Sequence, residues 1–553
     1  MPRQKRTSLR ALAAPIALLA FAASDARGAT SYDWPQFNGN ARHSGNNTSE
    51  TTLSTANVGQ LKQLFQVTLP AVADGAPAVL TSVSTPGGAK DLLFVNTKPG
   101  NLLALDAHTG ATVWSVQHGN TSCTSPSGPC ITESSPAVDP GRGFVYAYAL
   151  DGSVHKHSVA TGAEATGGGW PAMASAKPDV EKGSSALTVA TALSGTSYLY
   201  VTHSGYIGDA GDYQGHLTAI NLTTGTQNVF NSLCSNQTVH FVEGGSPDCP
   251  SVQSGIWARA GIAYDSDIDK IFAVTGNGTF APSSANWGDS VMELNADGTG
   301  AAGQPVDSYT PTNFQALQNG DTDLGSTDLL VLPAPAGFPF PHVGAQSGKD
   351  GVLRLLNLDN LSNQGSGPSP ARTGGELATV QLPAGVFAAP AAWVNPADGS
   401  TWVFVTTSAS ISGYQLTASG SSVALGLKWT LAQGGTSPIV ANNVLYVARA
   451  NTLQAFAAVS GTQLWQAAIG GIHWESPVVA NGVLYIMDEA AHLTAFTVPS
   501  AAIPAVPSWA LGLAAALLLM LGFYVVVIGR GSNKPRNPTG ASTRGGIPAP
   551  DPS

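Results

Sequence analysis

Along most of the chain, short apolar runs alternate with polar turns. The runs are 4–7 residues long, rich in Val, Leu, Tyr and Thr, and bounded by Gly, Asn and Asp. That is the pattern of strands joined by tight turns. The runs fall into a repeated unit, clearest in SPIVANNVLYVARANTLQAFAAVSGTQLW from Ser437 and SPVVANGVLYIMDEAAHLTAFTV from Ser476. Each copy has a Ser-Pro start, an apolar strand, an Asn turn, a second strand, a polar turn and a third strand. Further units begin at Ala76, Ser135, Ala186, Ala260, Thr327 and Ala389, so the eight starts lie 39 to 74 residues apart.

A single four-stranded unit cannot bury both its faces, so neighbouring units must stack. Radial stacking predicts an all-β fold, an eight-bladed β-propeller over residues 61–500. The unit from Ser476 supplies only three strands, while LKQLFQVTL (Leu61 to Leu69) belongs to no unit. This segment is expected as the missing outer strand of the last blade, closing the ring. A solenoid is the alternative, but it would not leave matching fragments at both ends. Almost no helix is expected before Trp509.

The ends read differently. Arg3, Lys5, Arg6 and Arg10 precede an apolar stretch from Ala11 to Ala23, the pattern of a secretory signal over residues 1–29. Residues 30–60 are expected as a leader and 501–508 as a linker. Residues 509–528 form a 20-residue stretch without a charge, long enough for a transmembrane helix. Arg530, Lys534 and Arg536 open a basic tail, 529–553, expected to be disordered and cytoplasmic. The body would then be exported, on the periplasmic or cell-surface side, anchored through the membrane. IPAVPSWALGLAAALLLMLGF also resembles the IPTL-type bacterial sorting signals, with plain anchoring as the other reading.

Composition sharpens this picture. Only 10% of residues are charged and the net charge is −10, which argues against a nucleic-acid partner. Without the two ends, 15 Lys+Arg face 32 Asp+Glu, so the body is more acidic still. The four cysteines form two close pairs, Cys123 with Cys130 and Cys234 with Cys249, the spacing of local disulfides in an exported protein. No C-x-x-C-H is present, which excludes a c-type haem.

ALDAHTGATVW (Ala104 to Trp114) and AFAAVSGTQLW (Ala455 to Trp465) resemble the tryptophan-docking repeat of pyrroloquinoline quinone (PQQ) dehydrogenases and related propellers. DWPQFNGNARHSG (Asp33 to Gly45) is similar to the start of many such proteins, and the resemblance spans about residues 30 to 500. It implies a propeller of quinoprotein dehydrogenase type. That superfamily holds both enzymes and scaffolds, so the site must decide.

Three segments carry the resemblance to the enzymes. In TGNGTFAPSSANWGDSVMELN, Asn277 matches a metal ligand, and an amide oxygen suits Ca²⁺; an Asn-Gly hairpin turn is the alternative. In NGDTDLGSTDLLVLP, Asp321 matches the catalytic base beside the metal and Asp323 adds a second carboxylate. Residues two apart on an extended segment project to one side, although a solvated acidic turn has the same composition. In QSGKDGVLRLLNLD, Lys349 matches the cation that contacts the quinone oxygens, where hydride transfer develops negative charge; an exposed turn lysine is the alternative. Trp257, in GIWARAGIAYD, is similar to the tryptophan on which the quinone lies, or else packs between blades. The adjacent-cysteine disulfide and the early-blade metal-binding Glu of those enzymes have no counterpart. Asp209 and Asp212 are the nearest carboxylates, and Glu133 and Glu475 face either the funnel or a turn. His155 and His157 share one side of a strand, as a metal pair or a solvated face.

The resemblance implies an exported, membrane-anchored PQQ-dependent dehydrogenase. It would oxidise a small-molecule alcohol with PQQ and Ca²⁺ and pass electrons to an external acceptor. The alternative is a non-catalytic propeller that binds proteins or glycans as a periplasmic or cell-surface scaffold.

Overall fold

Eight four- or five-stranded sheets, antiparallel except where Asn46–Asn47 adds parallel to Ile439–Ala441, follow one another along the chain and account for all but two short hairpins of the described strands. They are the eight blades of a propeller, seen in a computed structural model that describes residues 31–118, 122–237 and 249–499. Beyond these, only Leu513, Ala516, Leu519 and Met520 are described, and they are helical. The expected signal, the rest of the expected membrane segment and the basic tail lie outside the described residues. Among the described residues, no helix is long and apolar enough to cross a membrane.

The inner strands begin where the repeat predicts. They are Ala78–Thr85 in blade 1, Ala137–Val138 in blade 2, Thr188–Thr191 in blade 3 (with Lys182–Gly183 ahead of it) and Ala263–Asp265 in blade 4. Leu329–Leu332, Ala391–Val394, Ile439–Ala441 and Val478–Ala480 open blades 5 to 8. Lys62–Thr68 pairs with His492–Thr497 as the outer strand of blade 8, so the ring is closed by the two ends of the repeat region. The inner strands are buried on both faces, whereas outer strands such as Lys62–Thr68 alternate with solvent.

Blades lock to one another through aromatic rings and glycines. The Trp114 indole of blade 1 donates to the Val159 carbonyl of blade 2 at 2.9 Å. It lies so close to Gly162 that a Cβ there would meet the ring at 2.7 Å. Gly162 also has φ +72°, so this turn needs glycine on two counts. Trp429 repeats the device on blade 7, donating to the Ala458 carbonyl at 2.9 Å. At the seam, Phe65 of blade 8 takes the tryptophan's place against Gly110 of blade 1. Trp465 donates to the Leu61 carbonyl at 3.2 Å, binding blade 7 to the closing strand. The buried Trp114 ring contributes on the order of 2–3 kcal/mol by leaving water, and the half-buried Trp429, Trp465 and Phe65 less.

The residues ahead of Lys62 do more than lead into the ring. Trp34, Ala41, Ser44 and Gly45 bond by backbone to the inner strands of blades 1, 4, 6 and 7, and Pro35 accepts from Val138 of blade 2. Gln36 exchanges hydrogen bonds with Val189 of blade 3, and Asn47 donates to Val479 of blade 8. One segment thus touches seven blades. Its contacts fall one residue inside the inner strands, about five residues, roughly 17 Å of extended chain, past Glu133, Arg259, Phe387 and Trp474, so it closes the axis at one end. His43, fully buried, accepts or donates at Thr188 Oγ1 (2.9 Å) and meets the Phe37 and Ile262 carbonyls.

The cysteines close two loops as disulfides, Cys123–Cys130 and Cys234–Cys249. Helix is confined to Phe314–Asn319 and three short 3₁₀ turns among the residues up to 499.

Candidate active site

The stretches that lead into the inner strands converge at the other end of the axis, around a cavity of about 460 Å³. Blades 2 to 6 and blade 8 each bring a side chain to it: Glu133, Lys182, Arg259, Asp323, Phe387 and Trp474. The segments inserted in blades 4 and 5 complete the wall. The stretch after helix Phe314–Asn319 carries Asp321 and Asp323 and the turn before Val352–Asn357 carries Lys349, while Asn277, on the blade 4 insertion after Lys270–Val274, is buried against the two aspartates and does not itself line the cavity.

The residues expected from sequence lie together. Asn277 donates its side-chain amide to Asp321 Oδ1 at 2.7 Å and its backbone N–H to Asp323 Oδ1 at 2.6 Å. Lys349 Nζ is paired with Asp323 Oδ2 and lies 3.3 Å from Asp321 Oδ1. The same ammonium sits 5.5 Å from the centre of the Trp257 ring. Trp257 faces the cavity with Phe387 at 6.4 Å, and Phe387 stands 6.1 Å from Trp474. Asp321 has φ +49°, and its side chain is 70% exposed towards the opening. Asp209 also lines the cavity, where it accepts from Tyr213 at 2.6 Å, while Asp212 does not reach it.

Burial and charge set the protonation of the buried members. Burial raises the Asp323 carboxyl above the ordinary range, even with Lys349 against it. For Lys349, burial alone would lower the ammonium, but Asp323 and Asp321 hold it above its ordinary value. Behind Asp323, burial and the neighbouring carboxylate push Asp289 up to about 7. Glu133 goes the other way. Burial opposes its charge, yet Lys182 at 2.6 Å and Arg259 at 3.6 Å hold it below the carboxylate range. Glu475 is buried beside the mouth, accepts from the His473 backbone at 2.7 Å, and is raised to about 8 by burial and Asp74.

Three cationic side chains therefore ring the cavity, and two of them were not anticipated. Arg259 donates to the Asp74 and Glu133 carbonyls at 3.0 and 2.9 Å, with its guanidinium 5.5 Å from the Trp474 ring. A signal for it existed: Arg259 is two residues from Trp257 on an extended segment, so both must project to one side. Lys182, like Glu133, stands just before an inner-strand start, a conspicuous place for charge in so weakly charged a chain. Phe387, His473 and Trp474 carried no such signal.

The donor chemistry can be tested against a quinone and a hard cation. Asn277 Oδ1 is buried and has no hydrogen-bond partner. With the carboxylates of Asp321 and Asp323 it forms an all-oxygen set suited to Ca²⁺ or a larger hard ion. Trp257 presents a flat aromatic face, and Lys182, Arg259 and Lys349 present positive charge, which fits a planar polyanion. Both groups fit, provided Lys349 yields part of the carboxylate pair to the ion.

Comparison with known proteins agrees with this architecture. Residues 34–282 match the family of the glucose/ethanol/alcohol dehydrogenase β-propeller domain, and residues 371–503 match the family of the outer membrane protein assembly factor BamB. Two stretches of the chain thus carry domains of PQQ-type β-propeller families. Among solved structures it is similar to the quinohemoprotein alcohol dehydrogenase ADHIIG from Pseudomonas putida HK5 (TM-score 0.58, 14% identity, covering 85% of this chain and 81% of that one). A europium-containing methanol dehydrogenase superposes with TM-score 0.58 at 15% identity, covering 84% of this chain and 98% of that one. The quinohemoprotein alcohol dehydrogenase of Comamonas testosteroni gives 0.57 at 17% identity, covering 87% and 82%. At these identities the likeness is one of fold. A search of curated proteins gave no match.

Proposed function

We propose that the chain is a PQQ-dependent dehydrogenase that oxidises a small alcohol, with Ca²⁺ or a larger hard cation beside the quinone. The observation that carries this reading is the meeting of Asn277, Asp321, Asp323, Lys349 and Trp257 at one mouth. Bound there, PQQ would supply the two-electron acceptor that the protein's own side chains lack. Trp257 offers its ring face to the quinone plane, and Lys182 and Arg259 offer charge to its carboxylates. Asn277 Oδ1, Asp321 and Asp323 would hold the cation. Lys349 is placed to stabilise negative charge that develops on a quinone oxygen. Asp321, exposed at the opening, takes the proton of the alcohol hydroxyl. Phe387 and Trp474 wall the cavity with apolar surface that excludes water from the reacting carbon. An external acceptor would be needed to take the electrons onward.

The two disulfides support an oxidising compartment. With the basic-apolar pattern of residues 1–29 and the uncharged stretch 509–528, they support an exported protein anchored in the membrane on its periplasmic or cell-surface side.

One observation favours a second reading, a non-catalytic scaffold. Lys349 already pairs with both carboxylates, so part of their charge is met without a cation. One of the two matched families is also named for an assembly factor. Reconstitution separates the two readings. The full chain incubated with PQQ and Ca²⁺, or PQQ and La³⁺, should show a bound-quinone spectrum and alcohol-dependent dye reduction. No bound quinone at saturation sinks the enzyme reading and leaves the scaffold.

A further inference from the structure

Away from the cavity, three imidazoles and a carboxylate meet at the junction of blades 1 and 2. His118 follows the outer strand of blade 1, Thr112–Gln117. His155 and His157 lie on Ser153–Ser158 of blade 2, and Glu164 pairs alongside in the next segment. The two strand histidines are 4% and 0% exposed, so the strand face that sequence left open as solvated is buried. One ligand atom from each of the four residues lies within 4.8 Å of every other. None of the four lines the candidate active site.

The hydrogen bonds leave nitrogen lone pairs aimed inward. His157 Nδ1 is 3.0 Å from the Gly162 carbonyl, which can only accept, so the proton sits on Nδ1 and Nε2 is bare. That Nε2 is buried without a partner, and so is His118 Nε2, whose nearest carboxylate oxygen is on Glu164 at 3.8 Å. His155 has a carboxylate at each nitrogen, Glu164 at 2.6 Å on Nδ1 and Asp151 at 3.0 Å on Nε2. The His118 and His155 rings stack at 3.9 Å. Two buried ring nitrogens without a hydrogen-bond partner cost about 1–3 kcal/mol each unless a partner is supplied.

We propose that His118, His155, His157 and Glu164 form a binding site for Zn²⁺ or a similar divalent first-row metal that pins blade 1 to blade 2. Three imidazole nitrogens and one carboxylate oxygen are a four-coordinate donor set for such ions and a poor one for Ca²⁺. The outer contacts are already in place. Gly162 fixes the tautomer of His157, and Asp151 orients His155 for ligation through Nδ1. A tetrahedral shell with bonds of ~2 Å has its ligand atoms ~3.3 Å apart. The ion must therefore draw the four groups in by about 1 Å, tilt the stacked rings apart and replace the His155–Glu164 hydrogen bond. The 24% exposed side chain of His118 leaves a route from solvent.

The test uses the full chain stripped with a chelator, then titrated with Zn²⁺ by calorimetry and with Co²⁺ by visible absorption. One equivalent should bind, Co²⁺ should show the intense d–d bands of four-coordination, and Zn²⁺ should raise the melting temperature. His157→Gln should weaken Zn²⁺ binding about 100-fold or more, and Asp151→Asn about 10-fold. Glu164→Gln, at a partly exposed position, should lose affinity as His157→Gln does and lose the Zn²⁺-dependent rise in melting temperature. The proposal is overturned if the native chain takes up no Zn²⁺. It is equally overturned if His157→Gln and Glu164→Gln both bind Zn²⁺ like the native chain, since the ion would then sit elsewhere.

Discussion

The amide of Asn277 and the carboxylate of Asp321 are joined at 2.7 Å across 44 residues of chain. This single bond ties the insertion of blade 4 to the segment that leads into blade 5. It also holds Asp321 at the opening, where a substrate hydroxyl would arrive. Asp321→Asn keeps an acceptor for Asn277 but has no basic carboxylate. Turnover should fall on the order of 10²–10⁴-fold, with the bound-quinone spectrum retained and stability changed by less than about 0.5 kcal/mol. Steady-state dye reduction and denaturant melts check this, and near-native turnover would remove Asp321 from the role of base.

Lys349 is the counter-ion of a buried carboxylate, Asp323. Lys349→Met strands that charge, and stability should fall by about 2–3 kcal/mol, somewhat less than for a fully enclosed pair because Lys349 retains some exposure. The double variant with Asp323→Asn should recover most of the loss in urea melts. Quinone affinity should not recover, because the cation is still missing. A double variant as unstable as the single one would show that the ion pair is not the cause.

Acid should loosen the segment that crosses the axis. Burial lowers the imidazole of His43 to about 4, against 6.5 when free, and the flanking carbonyls offset only part of this. The neutral ring is thus favoured by folding. Its contribution is fully present above pH 6.5 and is lost as the pH falls towards 4, a step of ~3 kcal/mol. His43→Gln cannot titrate, so the gap between native and variant stability should shrink as pH drops through this window. Melts at pH 7.5, 5.5 and 4.5 measure it, and a gap independent of pH would contradict the assignment.

Asp328 should act with the opposite sign. It is fully buried, neither carboxylate oxygen has a hydrogen-bond partner, and burial raises it to about 7. Folding favours its protonated form, so it weakens the fold as pH rises from about 4 to 7, and the full cost remains above that. Asp328→Asn should melt higher than the native chain at pH 8, with the difference shrinking at pH 5. A native chain more stable than the variant at pH 8 would refute this.

Much of the ring was legible because each blade repeats the same local choices. Ser-Pro or a small equivalent opens an inner strand, turn residues space the next strands, and the orphan run at Leu61 to Leu69 had one empty place to fill. The leader was not legible in the same way. Its bonds to seven blades are mostly backbone bonds, which leave no mark on side-chain pattern. In the site, Asn277, Asp321 and Lys349 could be aligned by motif, but their mutual contacts arise only when blades 4 and 5 stand side by side. Arg259 and Lys182 were missed for a related reason: a charge before an inner strand reads as a turn residue until the mouth is assembled. The histidine pair was seen on the strand, yet its burial depends on His118, which comes from another blade.

The closing strand has a consequence for how the chain reaches this state. Val67 finds its partner, Leu493, only after more than four hundred intervening residues. Joining ends so far apart costs chain entropy that no shorter-range contact recovers, and folds governed by such distant pairings assemble slowly. Until the last repeat exists, Lys62–Thr68 remains an unpaired edge, open to adhesion with other chains. Assembly of the propeller is therefore weighted to its final step, and a chain halted before residue 497 has every blade but one and still lacks a ring.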